Sequence, residues 1–379
     1  VLFRSLIEAI GGMLTFIGAI VAMLLLDWVL FVITSACVAV SALVVVLLGS
    51  RVARASAAAQ AKVGELSSST ERAISAMRTL RAANATAGEE RRVVADAEGA
   101  YQRGLDIAAI SAVMVPVSFL ALQLSLVLVL GVGLWTLVLG GWRALRQTDV
   151  KLVLAYGTVS QLGFLMVANG LGVRDAALAG LAMLLAHALF KAPLFMVVGI
   201  IDHEAGTRDL RELSGIGRRH PVLAAVAVLA AASMAGLPPF FGFVAKEAVL
   251  QSLTDHGAAH GGLLAWAPLV LMAVGSVLTV AYTWRFLWGA FATKRTPEGA
   301  PVPATRFHTR VTFLELAPAG LLALTGLVLA VLPGPLEHLL AAHTATIPAL
   351  DPAASPAHLA LWHGWTPILA LSAGVWVLG

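Results

Sequence analysis

The stretch AALAGLAMLLAHALFKAPLFMVVGII, Ala176 to Ile201, decides the fold. Apart from His187 and Lys191 it holds no ionisable residue. A hydrocarbon core about 30 Å thick is crossed by roughly 20 helical residues at about 1.5 Å each, and this run is long enough. Comparable runs lie at Leu6–Leu26, Val29–Leu48, Ile107–Leu130, Leu152–Gly172, Val222–Leu250, Trp266–Phe291 and Phe313–Pro333, and a ninth begins at Trp365. Each has to be helical, because strands of an open sheet leave backbone groups unpaired in lipid. The expected fold is therefore an all-α polytopic membrane protein with about nine transmembrane helices.

Composition points the same way. Apolar and aromatic residues make up 59% of the chain and charged residues 12%, where a soluble domain carries about 25% charged residues to solvate its surface. Mean hydropathy is +0.89. The single cysteine, Cys37, forms no intrachain disulfide and no CxxC motif. No basic face is interleaved with aromatics, so nucleic acid is not an expected partner. His343, His358 and His363 lack the spacing of metal ligands, and no cofactor is expected. The lipid bilayer is an expected partner, with Trp284, Trp288, Trp362 and Trp365 suited to its interfaces.

Two regions depart from the plain pattern of spans. Ser50 to Leu105 is alanine-rich, strongly charged and free of proline, and reads as long polar helices extending into water on the cytoplasmic side. Ile107 to Gly141 is nearly uncharged. As one helix it is about 52 Å long, too long for one span, whereas two spans and a turn need roughly 40 residues or more. A basic cluster follows at Arg143, Arg146 and Lys151, which prefers the cytoplasm. This conflict is read as a join between two pieces, 1–135 and 136–379. The chain begins at Val1 and stops inside the apolar segment Thr366–Gly379, and both ends are read as cut.

Ionisable groups at membrane depth are expensive and usually line a polar path or pair with something. His187 lies about 17 Å into its span, and Lys191 follows one turn later on the same helix face. A histidine titrates near neutral pH and burial disfavours a charged lysine, so the pair is a candidate proton relay. The competing readings are a packing histidine and a lysine that snorkels to the interface. Gly236-Leu237-Pro238-Pro239 interrupts Val222–Leu250, and two prolines remove two backbone donors, so a broken helix is expected there. Lys246 and Glu247 follow the break, as further members of the path or as charges at a solvated helix end. Thr158, Ser160 and Gln161 are read as groups that bond across helices. The loop Asp202–His220 is read as a solvated connector.

Two resemblances divide the chain at the same place. Residues 1–135 resemble the membrane domain of a type I ABC exporter, through Asp27-Trp28-Val29-Leu30, the exit at Arg51–Arg54, Pro116, and the polar-loop stretch Glu71-Arg72-Ala73-Ile74-Ser75-Ala76-Met77-Arg78-Thr79-Leu80-Arg81-Ala82. The resemblance implies that 50–105 is the intracellular extension. Its tip, with Glu71, Arg72, Arg78 and Arg81, then rests on a nucleotide-binding domain.

Residues from about Leu137 onward resemble the A subunit of the Mrp-type multisubunit sodium/proton antiporters, relatives of the antiporter-like subunits of respiratory complex I. Four motifs carry this, in the family's order: Ala144–Lys151 leading into Leu154–Gly163, Ala186-His187-Ala188-Leu189-Phe190-Lys191-Ala192, Asp202–Asp209, and Ala235–Phe240 leading to Lys246-Glu247. The resemblance implies a proton path through Lys191 and Lys246, with His187 and Glu247 beside it. Where the family often has a further histidine two turns before the first lysine, this chain has Met183. It also implies monovalent cations and protons as cargo, other antiporter subunits as partners, and a multi-pass place in the bacterial inner membrane.

Three functions follow from this. The first is a subunit of a sodium/proton antiporter, a secondary transporter and no enzyme. The second is the transmembrane part of an ATP-driven exporter, although no Gly-Lys pair of a phosphate-binding loop occurs in the sequence. The third is a gene chimera without activity of its own.

Overall fold

The computed structural model describes residues 28–296, 298–350, 358–362 and 364–379. The expected first span Leu6–Leu26, Asp27 of the first hairpin, and His363 lie outside them, as does the side chain of Cys37. The described residues are helical and contain no strand, only the isolated bridges Asp149–Asp209 and Arg295–Pro301. The protein is a polytopic helical membrane protein. Its contacts divide it into two compact units, Val1–Val127 and Leu128–Gly379.

The first unit contains α1 (Trp28–Ser75), the short α2 (Met77–Ala82) and the start of α3 (Thr86–Leu145). The expected span Val29–Leu48 and the charged segment after it as far as Ser75 form one continuous helix, and the chain turns back at Asn84, whose φ is 51°. Ion pairs one turn apart, Lys62–Glu65 at 2.6 Å and Arg103–Asp106 at 3.2 Å, lie on exposed faces, where such pairs contribute little. Glu71, Arg72, Arg78 and Arg81 are all exposed at the tip. The apolar run Ile107–Gly141 continues as part of α3 without a turn, so it is not divided into two spans.

Among the described residues the second unit holds the rest of α3 and nine further helices: α4 (Val150–Gly170), α5 (Arg174–Ala205), α6 (Ile216–Arg219), α7 (Pro221–Ala235), α8 (Phe241–His260), α9 (Leu263–Phe291), α10 (Phe313–Val331), α11 (Gly334–Thr344) and α12 (Pro367–Leu378). Five described segments are long and apolar enough to cross a membrane: Leu126–Leu145, α4, α5, α9 and α10. The last four match the expected spans. Helix α5 packs against α4, α7, α8, α10 and α11, and so occupies the middle of the bundle. Its fully buried residues include Ala182, Met183, Leu194, Val197 and Ile201.

The interruption expected in Val222–Leu250 is present. Helix α7 ends on Gly236, whose φ of 76° is a left-handed cap, and α8 starts at Phe241 after a cis Pro238–Pro239 bond. The N–H of Gly242 donates to Ser233 Oγ (3.2 Å), and the indole of Trp376 on α12 donates to the Gly236 carbonyl (3.1 Å), so the freed backbone groups find partners within the protein.

Asp202–His220 is more than a solvated connector. Its arginines face outward, but Glu204, Leu210, Leu213 and Ile216 are buried, and the Glu204 carboxylate accepts from the N–H and hydroxyl of Thr309. Ser214 and Gly215 bond to Thr305 and Ala292. The Lys294 ammonium donates to the carbonyls of Leu210, Leu213 and Gly289, and burial lowers its proton affinity. At the exposed corner, the Arg211 guanidinium and backbone N–H hold the Asp209 carboxyl down to about 2.

Candidate functional site: two buried lysines

Lys191 leaves α5 at a helix-packed depth and is 4% exposed. Its ammonium donates to the Leu154 carbonyl on α4 at 3.0 Å and lies 5.9 Å from the centroid of the Tyr282 ring on α9. Thr158 Oγ1 donates to the same carbonyl at 2.9 Å. The lysine does not snorkel to an interface. Space for its head is made by Gly157 of α4, where an added Cβ would meet Lys191 Nζ and the Tyr282 ring at 3.0 Å each. A carbonyl and an aromatic face are both attractive to a cation, but neither supplies a counter-charge.

Lys246 is seated in a similar way. It is 5% exposed, and its ammonium donates to the Ala235 carbonyl at the end of α7 at 3.2 Å. Gly236 supplies the room: a Cβ there would lie 3.1 Å from both the Lys246 Nζ and its Cδ. The break between α7 and α8 thus turns the Ala235 carbonyl at the end of one helix toward a lysine of the next. A last-turn carbonyl of that kind has no partner further along its own helix, and the negative end of the helix dipole favours a cation. The reading of Lys246 and Glu247 as a solvated helix end is therefore set aside, since Glu247 is also buried, at 8% exposure, beside the Thr366 hydroxyl. Among the described residues no carboxylate forms an ion pair with either lysine.

His187, one turn before Lys191, is half-buried and sets its edge against Phe190 at 5.4 Å. Its Nδ1 is buried without a hydrogen-bond partner. Of the three α4 residues expected to bond across helices, Ser160 bonds across to the Leu137 carbonyl of α3 at 2.7 Å and Gln161 reaches Thr279 Oγ1 of α9 at 3.2 Å. Thr158 instead bonds within its own helix.

Helix α9 adds polar residues that the sequence did not single out. Ser276, Thr279, Tyr282 and Thr283 are all at most 3% exposed and share the face toward α4 and α7. Their spacing of three and four residues in a long apolar run is the signal that marks such a stripe.

Residues 105–279 match the family described as NADH:quinone oxidoreductase/Mrp antiporter, TM, and residues 1–158 match the ABC transporter transmembrane region. Over 252 residues the chain is 37% identical to a probable K(+)/H(+) antiporter A/B subunit of Rhizobium meliloti, covering 64% of this chain and 24% of that one. Over 270 residues it is 37% identical to a Na(+)/H(+) antiporter A subunit of Bacillus subtilis, covering 65% and 33%. Among solved structures, the Mrp complex from Dietzia sp. DQ12-45-1b aligns with a TM-score of 0.54 at 38% identity, over 65% of this chain and 25% of that chain. Respiratory complex I from Thermus thermophilus aligns with a TM-score of 0.50 at 21% identity over 66% of this chain and 51% of that one, a likeness of fold. The chain thus spans about a quarter to a third of the length of the curated relatives named here.

Proposed function

We propose that residues 136–379 are part of a subunit of a monovalent cation/proton antiporter, with sodium as the exchanged ion, and that His187, Lys191, Lys246 and Glu247 carry protons through it. The observation that supports this most directly is the pair of lysines, each within a helical membrane bundle, each with a backbone carbonyl as partner and, among the described residues, without a counter-charge. An ammonium held that way in place of an apolar residue is costly, and such groups in membrane proteins mark ion and proton pathways. A lysine whose partner is a neutral carbonyl can give up its proton without leaving a stranded carboxylate behind. His187, one helical turn away, is then the group that receives or supplies it. Similarity to antiporter subunits supports the same reading. Other antiporter subunits are then the partners, and the bacterial inner membrane the location.

Residues 1–135 carry a second reading, as the membrane part of an ATP-driven exporter whose exposed tip at Glu71, Arg72, Arg78 and Arg81 docks on an ATPase. The match of residues 1–158 to the ABC transporter transmembrane region favours it. We place the boundary between the two pieces at 135/136.

The test uses the purified chain in proteoliposomes loaded with a pH-sensitive dye. A sodium gradient is expected to drive proton movement that Lys191→Ala abolishes at unchanged protein level. Flux that is unaffected by Lys191→Ala refutes the relay. Proton movement absent from the unmodified chain refutes the antiporter reading of this chain.

A further inference from the structure

Helix α9 faces α4 with more polar groups than its packing requires. Gln161 is fully buried and donates through Nε2 to Thr279 Oγ1 at 3.2 Å, yet its Oε1 has no hydrogen-bond partner. Ser276, one turn before Thr279 and 1% exposed, likewise has a buried Oγ without a partner. Thr279 itself donates to the Gly275 carbonyl at 2.9 Å. One turn further, the Tyr282 hydroxyl donates to the Gly157 carbonyl at 3.4 Å, and its ring lies against the Lys191 ammonium. An amide and three hydroxyls thus run along one helix interface from the lysine, and two of their oxygens, Gln161 Oε1 and Ser276 Oγ, are unsatisfied.

We propose that Gln161 Oε1 and Ser276 Oγ share a buried water, and that this water, with Thr279 and Tyr282, forms a lateral branch of the proton path leading from Lys191 along the α4–α9 interface. The proton part rests on the function proposed above; the water does not. Buried polar atoms in native proteins nearly always have partners, and a water held by two or more of them is the usual remedy. The site is polar on both helices, which distinguishes it from a dry packing defect. A serine hydroxyl both donates and accepts, so Ser276 can pass a proton on by rotation, as can Thr279 and Tyr282.

The water is tested by a double-mutant cycle, with unfolding of the purified chain followed through its tryptophans. Gln161→Met and Ser276→Ala each remove one holder. If they share a water, the double variant loses less stability than the sum of the single losses, because either change already releases it. Additive losses overturn the proposal. The branch is tested by proton flux in proteoliposomes. Gln161→Met and Tyr282→Phe, which keeps the ring beside Lys191, are expected to slow it at least about tenfold, since a positioned proton-transfer group contributes on the order of a hundredfold or more. Ser276→Thr, which keeps a hydroxyl, is expected to retain it. Unchanged flux in Gln161→Met and Tyr282→Phe, when Lys191→Ala abolishes flux, overturns the branch alone. Flux insensitive to Lys191→Ala, or absent from the unmodified chain, overturns the antiporter reading and the branch with it, and the stability cycle still decides the water.

Discussion

Gly157→Ala puts the seat of Lys191 to the sharpest test. On helix propensity alone the change favours folding by about 0.8–1.0 kcal/mol. Gly157 is inside α4, so no unusual backbone angle complicates the substitution, as the positive φ would at Gly236. The new methyl, however, would lie 3.0 Å from Lys191 Nζ and 3.0–3.1 Å from two ring carbons of Tyr282. Comfortable carbon contacts are about 3.5–4.0 Å, so the ring has to retreat by roughly half an ångström or more. Tyr282 is completely buried, and overpacking of that kind costs about 1–3 kcal/mol. With a middle value of about 2, the net loss is about 1 kcal/mol if the lysine keeps its bond to Leu154. If the ammonium is displaced from that carbonyl, a hydrogen bond to a charged group is lost as well, for a total of about 2.5 kcal/mol or more. Denaturation in mixed detergent micelles measures the difference, and dye-loaded proteoliposomes measure proton flux, which is expected to fall. A variant stabilised by about 1 kcal/mol with full flux would refute the reasoning, because the glycine would then hold no space for the lysine.

Other changes probe other links. Lys246→Met keeps the length of the side chain without its charge. It is expected to leave stability unchanged or raise it by about 1–3 kcal/mol, as replacing buried charges often does, while proton flux is lost; micelle denaturation and the flux assay read the two arms separately. Ser160→Ala removes the 2.7 Å bond to the Leu137 carbonyl and is expected to cost about 0.6–1.7 kcal/mol, the range for interhelical bonds in membranes, with little change in flux. Asp209 supplies a pH dependence. Its carboxyl is held at about 2 by Arg211, below the unfolded value of about 3.9. Its contribution is therefore fully present above about pH 4 and is lost as pH falls toward 2. Protection factors of the 207–213 backbone amides are expected to fall across that window, and Asp209→Asn should show the lower protection already at neutral pH.

Much of the bundle was legible from composition and length. The spans now seen as α4, α5, α9 and α10 follow from apolar runs of sufficient length, and the break before α8 follows from two consecutive prolines that cannot supply helix donors. Ser160 and Gln161 bond across helices as their chemistry in lipid suggests. The 202–220 connector was only half legible. Its charges mark it as exposed, but the burial of Leu213 and Ile216 depends on the segment after α9, far away in sequence. The hydroxyl stripe on α9 was not legible, because serine, threonine and tyrosine raise no alarm one at a time in an apolar run.

The sequence by itself determined that this chain is helical and crosses a membrane, because lipid leaves the backbone no other partner. It also marked the few ionisable residues that are costly at that depth. Only the tertiary structure decided what surrounds them. Whether Lys191 and Lys246 reach water or are enclosed depends on α4, α7 and α9, which come from distant parts of the chain. Spacing along one helix fixes which side chains share a face, but the partner across from that face, here a carbonyl and an aromatic ring with no acid, is set by how the helices pack.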